Sequence, residues 1–79
     1  GGLEVPLAEE LEAYEVEILD GATVKRVLST ATTSAVYTAA DQTADWGAPL
    51  APGDMLDIRI YQLSALVGRG APKSVTLSL

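Results

Sequence analysis

The side chains of this sequence that could do chemistry are mainly carboxylates. Glu9, Glu10, Glu12, Glu15 and Glu17 crowd one short stretch, and Asp41, Asp45, Asp54 and Asp57 are spread over another. A glycosidase-type pair needs one carboxyl with a raised pKa inside a cleft. Glutamates at alternate positions of an extended chain instead line one open face and stay in water. They read as a wet charged face, or as a guard against edge-to-edge association. The aspartates lack the alternating oxygen ligands and closing glutamate of a calcium loop. Asp41 and Asp45 share one side of a helical turn, where a turn cap or a solvated side chain is expected.

With no histidine and no cysteine among the 79 residues, triad-type activation of a nucleophile is out of reach, and so are the usual zinc sites. Lys25 and Lys73 sit in polar sequence context, not in the apolar pockets that make a lysine reactive. Gly68-Arg69-Gly70 is too short for a dinucleotide loop, and Pro72 follows where a helix would have to begin. Its glycines suit a bulge or a positive-φ turn. No catalytic residue, cofactor or metal is expected, and the chain reads as a non-enzyme. Three contact candidates remain: Trp46 in a loop, Tyr61 on the polar face of its strand, and Arg69 presented by the glycine turn. Trp46 has two readings, a plug for the end of the core or an anchor for a partner or a sugar ring.

Composition narrows the partners. Net charge is −6, and the stretch from Glu4 to Asp20 holds seven acidic residues and no basic one. The five cations, Lys25, Arg26, Arg59, Arg69 and Lys73, are too dispersed to displace counterions from a phosphate backbone, so nucleic acid is not an expected partner. No apolar run reaches the roughly 18–20 residues needed to cross a bilayer, and membrane insertion is not expected. Hydrophobic residues make up 48 % of the chain, too many for a disordered tail. A domain this small buries only about 60 % of its unfolded surface. Lacking disulfide or zinc, it is expected to lean on a partner chain or on further polypeptide.

The elements that must position these residues are mostly strands. Tyr14, Val16 and Ile18 alternate with Glu15 and Glu17 in a strand from Ala13, and Asp20-Gly21 supplies a turn. A second strand follows over residues 22–28, placing Lys25 or Arg26 across from Glu15 or Glu17. Residues 35–38 form a short strand. Residues 39–46 are poor strand formers and read as one or two helical turns, with Thr38 as N-cap and Asp41 in the first turn. Gly47, Pro49, Pro52 and Gly53 then enforce a loop. Over 55–63, Leu56, Ile58 and Ile60 line one face while Asp57, Arg59 and Tyr61 line the other. Val75, Leu77 and Leu79 alternate in a closing strand. Residues 1–12 read as a linker, or as a turn or short helix over 8–12, and 13–79 as one β domain. The stripes Tyr14/Val16/Ile18 and Leu56/Ile58/Ile60 are expected to face each other across a dry interior. The spacing predicts an all-β, antiparallel β-sandwich or part of one.

The order of these elements resembles a fibronectin type III domain. Glu12-Ala-Tyr-Glu-Val-Glu-Ile18, ended by Asp20-Gly21, is similar to its third strand. Ser34-Ala-Val-Tyr-Thr38 is similar to the strand that ends the opposite edge. The strand from Met55 and the Gly68-Arg-Gly-Ala-Pro72 lead-in match the final two strands. The finer wording, Tyr37-Thr-Ala-Ala-Asp-Gln-Thr-Ala-Asp-Trp-Gly47, Tyr61-Gln-Leu-Ser-Ala65 and Val67-Gly-Arg-Gly70, resembles the fibronectin-like region of large tail-hub proteins. These occur in siphophages and in the gene transfer agents of alphaproteobacteria. The likeness runs over residues 4–79. In that family the region belongs to a long baseplate protein, with a TIM-barrel-like part, at the distal end of the tail.

The resemblance implies a fibronectin type III-like sandwich that is incomplete, its first two strands and their core tryptophan missing. It departs from the family at Leu56, where such domains usually carry a core tyrosine. It implies a structural component of a tail tip or baseplate, a spacer or interaction module contributing to host attachment. Such a protein is made in the bacterial cytoplasm and carried in the virion or an extracellular particle. Its partners would be other tail or baseplate chains, or the rest of its own polypeptide, with host-surface glycan as a further contact. The other reading is a carbohydrate-binding or spacer fibronectin-like module of a secreted bacterial enzyme or adhesin.

Overall fold

Alternation of apolar and acidic residues becomes strand β2 (Ala13–Asp20), with Tyr14, Val16 and Ile18 at most 1 % exposed. The computed structural model describes residues 2–6, 13–32, 34–64 and 68–79. The other described elements are β1 (Gly2–Pro6), β3 (Thr23–Thr30), β4 (Ser34–Thr38), α1 (Ala39–Trp46), β5 (Met55–Ser64), β6 (Gly68–Arg69) and β7 (Lys73–Ser78). The protein is all-β, with antiparallel sheets curled into a half-barrel and one short helix. β1 pairs with β4 in a small sheet, while β3, β2, β5 and β6 follow one another in a larger one, with β7 also on β5.

Hairpin β2–β3 turns through Gly21-Ala22. Gly21 sits at φ 59°, the positive first central position that a two-residue type II′ loop requires. The ladder then shifts register between Ile18 and Leu19, so that Arg26 opposes Ile18 and Val24 opposes Leu19. Lys25 is the extra residue of this bulge. The shift overturns the expected pairing of Lys25 or Arg26 with Glu15 or Glu17, because Ser29 and Val27 stand opposite those glutamates instead. Arg26 is carried round to the inner face.

The two apolar stripes are neighbours rather than opposites. β2 and β5 are hydrogen-bonded side by side, with Val16 opposite Ile60 and Ile18 opposite Ile58. Residues directly opposite in an antiparallel ladder point to the same side, so both stripes line one wall of the core. What faces them is the small sheet, through Val5, Ala35 and Tyr37. Partly buried Leu3, Leu28, Trp46, Leu50, Ile60, Val75 and Leu77 close the margins.

Gly2–Pro6 departs from the linker expected over residues 1–12. It is a strand in register with β4 from Gly2–Thr38 to Pro6–Ser34, because Leu3 and Val5 alternate with Gly2 and Glu4 and place Val5 in the core. At least one strand therefore precedes β2. The turn or short helix expected over 8–12 lies outside the described residues.

Thr38 caps α1 as expected. Its side chain accepts from the Asp41 N–H at 3.1 Å, and Gly47, left-handed at φ 84°, donates its N–H to the Thr43 carbonyl at 2.8 Å. The following loop is tied at both ends. Gln42 donates to the Tyr37 carbonyl at 2.7 Å and accepts from the Leu50 N–H at 2.9 Å. Gly53 donates to the Leu79 carbonyl at 2.8 Å. The helix and loop thus close one end of the half-barrel.

Candidate functional site

Two side-chain clusters stand out, one on the outer face of the large sheet and one at the rim of the core. On the outer face, pleat and register bring Glu15 and Glu17 of β2 beside Tyr61 and Arg59 of β5. Arg59 Nε donates to Glu17 Oε1 at 2.8 Å, a direct cross-strand pair. Arg69 arrives from β6, which pairs with the far end of β5 through Leu63–Arg69 and Ser64–Gly68. Gly68 at φ 79° makes that approach possible. Gly70 then fastens the segment by donating its N–H to the Gln62 carbonyl at 2.8 Å. A Cβ on Gly70 would come within 3.3 Å of that same oxygen.

Held this way, the Arg69 guanidinium lies 3.5 Å from the centre of the Tyr61 ring. Its Nε meets Glu15 at 3.1 Å and its Nη2 meets Glu17 at 3.3 Å. The structure therefore unites two of the three contact candidates, Tyr61 and Arg69. Glu17 is only 8 % exposed, which corrects the fully wet acidic face expected for β2: Arg59 and Arg69 cover it from two sides. With one oxygen accepting from each arginine, Glu17 is a post on which both guanidiniums are fixed. The Arg69 side chain keeps 44 % of its surface open. The result is a planar, charged, prepositioned plate on a rigid sheet. Its chemical competence is recognition by stacking and by the remaining N–H donors.

Trp46 lies in the other cluster. It is the last residue of α1, not a loop residue, and its indole N–H donates to the Tyr37 hydroxyl at 2.9 Å. That hydroxyl donates in turn to Asp45 Oδ2 at 2.6 Å. Arg26 grips Asp45 with Nε at 2.9 Å and Nη2 at 3.2 Å, and reaches Asp41 at 3.4 Å. Lys25 stands 5.6 Å above the Trp46 ring. Trp46 thus packs against the core margin, with its polar edge and one face already engaged.

The hydrogen bond from Arg26 holds the Asp45 carboxyl below its ordinary value; burial opposes this and the Tyr37 hydroxyl adds to it. Burial, followed by the bond to Asp45, pushes the Tyr37 phenol up to about 12. The Arg26 pKa is raised, chiefly by its hydrogen bond to Asp45. Asp41 and Asp45 share a helix side as expected, but Asp45 is not solvated, its side chain being 8 % exposed. Asp54 accepts from the Ala51 N–H at 2.8 Å and Asp57 from the Thr76 hydroxyl at 2.7 Å.

Sequence reasoning passed over Arg59 as a site residue, as it did the Tyr37–Asp45–Arg26 relay. Arg59 had a legible signal, since strict alternation puts it on the face of Tyr61. The relay depends on the β3 bulge, which no residue pattern announces. Comparison of the chain with family models, with curated proteins and with solved structures finds no match.

Proposed function

We propose that the chain is a structural module of a bacteriophage or gene-transfer-agent tail tip or baseplate, built on a fibronectin type III-like sandwich. In this role it is a stiff spacer that orients neighbouring tail chains and meets them through the Tyr61–Arg69 surface. It is made in the bacterial cytoplasm and resides in the particle, where the same surface is available to host-surface groups. The wording of residues 37–47, 61–65 and 67–70 supports this reading. So does the strand order, in which β1–β4 and β3–β2–β5 with β6 and β7 form two antiparallel sheets about one core.

The observation that carries the interaction role is the Arg69 guanidinium stacked on Tyr61 and pinned by Glu15 and Glu17. Tyrosine and arginine are enriched among the residues that dominate interface energies, and a side chain already immobilised loses little entropy on docking. The carbohydrate-binding alternative leaned on Trp46, whose ring edge and face are engaged by Tyr37 and Lys25.

Immunogold electron microscopy of particles from the producing strain tests the assignment. Label at the distal tail tip is expected, and particles that carry none would sink it. Tyr61→Ala with Arg69→Ala should lower incorporation by about ten-fold or more, on the scale of about 1–2 kcal/mol per interface anchor. Thr76→Ala, on the same sheet face, should leave it unchanged.

A further inference from the structure

β1 has one paired edge and one open edge. Along Gly2–Pro6 it is bonded to β4, and among the described residues no strand pairs with its other side. The N–H and C=O groups of an unpaired edge are satisfied by water or by another extended chain, which makes such an edge a template for strand addition. Gly2 and Leu3 of β1 also line a groove of about 530 Å3, together with Ala39 and Gln42 of α1, Leu50 and Leu79. Among the described residues no charged side chain lines this groove. Leu3 is one of the partly buried residues at the core margin, so the groove meets the apolar interior at β1.

The charge on β1 selects the occupant. Glu4, at the middle of the strand, is exposed and has no ion-pair partner among the described residues. A second copy is a poor fit. Full-length antiparallel pairing of β1 with itself sets Glu4 against the same glutamate of the other copy, and like charges directly opposite are destabilising. Sliding the register by one residue puts inward-facing residues against outward-facing ones, and sliding by two leaves only about three residues paired. Each copy also carries a net charge of −6, which adds repulsion.

We infer that the open edge of β1 takes up an extended segment of a different polypeptide. That segment has apolar side chains at alternate positions, turned toward the groove, and a lysine or arginine opposite Glu4. This edge belongs to the small sheet, apart from the Tyr61–Arg69 surface, so the inference does not depend on the tail assignment.

The test is an NMR titration of the whole chain with the blocked peptide Ser-Thr-Val-Lys-Val-Thr-Ser at up to millimolar concentration. Saturable shifts confined to the β1 amides and to Leu50 and Leu79 are expected. Replacing the peptide's lysine by glutamate should weaken binding roughly three- to ten-fold, since it removes a favourable cross-strand charge pair and sets like charges opposite each other. Glu4→Lys, a change at an exposed position, should reverse that preference without disturbing the fold. Leu3→Asp should abolish binding, provided its amide spectrum stays dispersed. Absence of shifts at β1, or equal affinity for the lysine and glutamate peptides, overturns the proposal. So does a concentration-dependent dimer whose interface maps to β1, since that gives the edge to a second copy.

Discussion

Tyr37 is held between two groups that want different things from its hydroxyl. It donates to Asp45 Oδ2 and accepts from Trp46, so replacing it by phenylalanine leaves the indole N–H without its acceptor and takes one of two donors from that oxygen, which keeps Arg26 Nε. Hydrogen bonds to charged groups contribute about 1.5–3 kcal/mol, and a loss of that order is expected for Tyr37→Phe in urea unfolding at neutral pH. The phenol's pKa, near 10 when unfolded, is pushed up to about 12 in the fold. The folded state therefore keeps a proton that the unfolded state gives up. Its contribution is complete below pH 10 and fades as pH rises toward 12. The stability gap between the native chain and Tyr37→Phe should shrink across that window; a constant gap would contradict the relay. Asp45 works in the opposite direction. Its carboxyl is held below the ordinary value, so its contribution is present above the unfolded value near pH 4 and is lost as pH falls through the folded one. Melting temperatures measured down through that acid range should fall less steeply for Asp45→Asn than for the native chain.

At the scale of elements, α1 is attached more by polar contacts than by an apolar face. Gln42, 4 % exposed, bridges the end of strand β4 and the loop after the helix through the Tyr37 carbonyl and the Leu50 N–H. Truncation to alanine leaves both backbone groups without their partner, which costs about 1–3 kcal/mol for a buried group left unsatisfied. Gln42→Ala should lower stability by that order and speed exchange of the Leu50 amide well before the β2 and β5 amides respond. Equal acceleration everywhere would mean that the loop has no independent opening. Strand β6 depends on a different device, positive φ at Gly68 and close backbone approach at Gly70, and these set Arg69 over Tyr61.

For the whole molecule the decisive fact is a core shared by two sheets. Val5, Ala35 and Tyr37 of the small sheet are buried against Tyr14, Val16, Ile18, Leu56 and Ile58 of the large one. A two-stranded ribbon is marginal by itself in water, so the small sheet has no stability apart from this contact. Ile58→Ala, near the middle of the core, should cost about 2–5 kcal/mol. Its unfolding should remain a single transition by near-UV and far-UV circular dichroism, and Val5→Ala should shift both signals together. A separate early transition on Val5→Ala would show that the sheets unfold independently.

The alternation in β2, β5 and β7, the capped helix after Thr38 and the proline–glycine loop were all legible in the sequence. Each depends on contacts within a few residues, where pleat, φ preference and capping chemistry act directly. Tyr61 and Arg69 were legible as contact residues for the same reason, one by its strand face and the other by its flanking glycines. Their stacking was not, nor was the burial of Glu17 beneath two arginines, because both require strands far apart in sequence to be set side by side. The stripes at Tyr14 and Ile58 were seen as apolar but assigned to opposite walls, since periodicity reports which face is buried and says nothing about which strand is the neighbour. Gly2–Pro6 and the Arg26–Asp45 grip were decided by tertiary structure alone. A five-residue strand gains its stability only from the core it completes, and a one-residue bulge chooses the side of the sheet on which an arginine emerges.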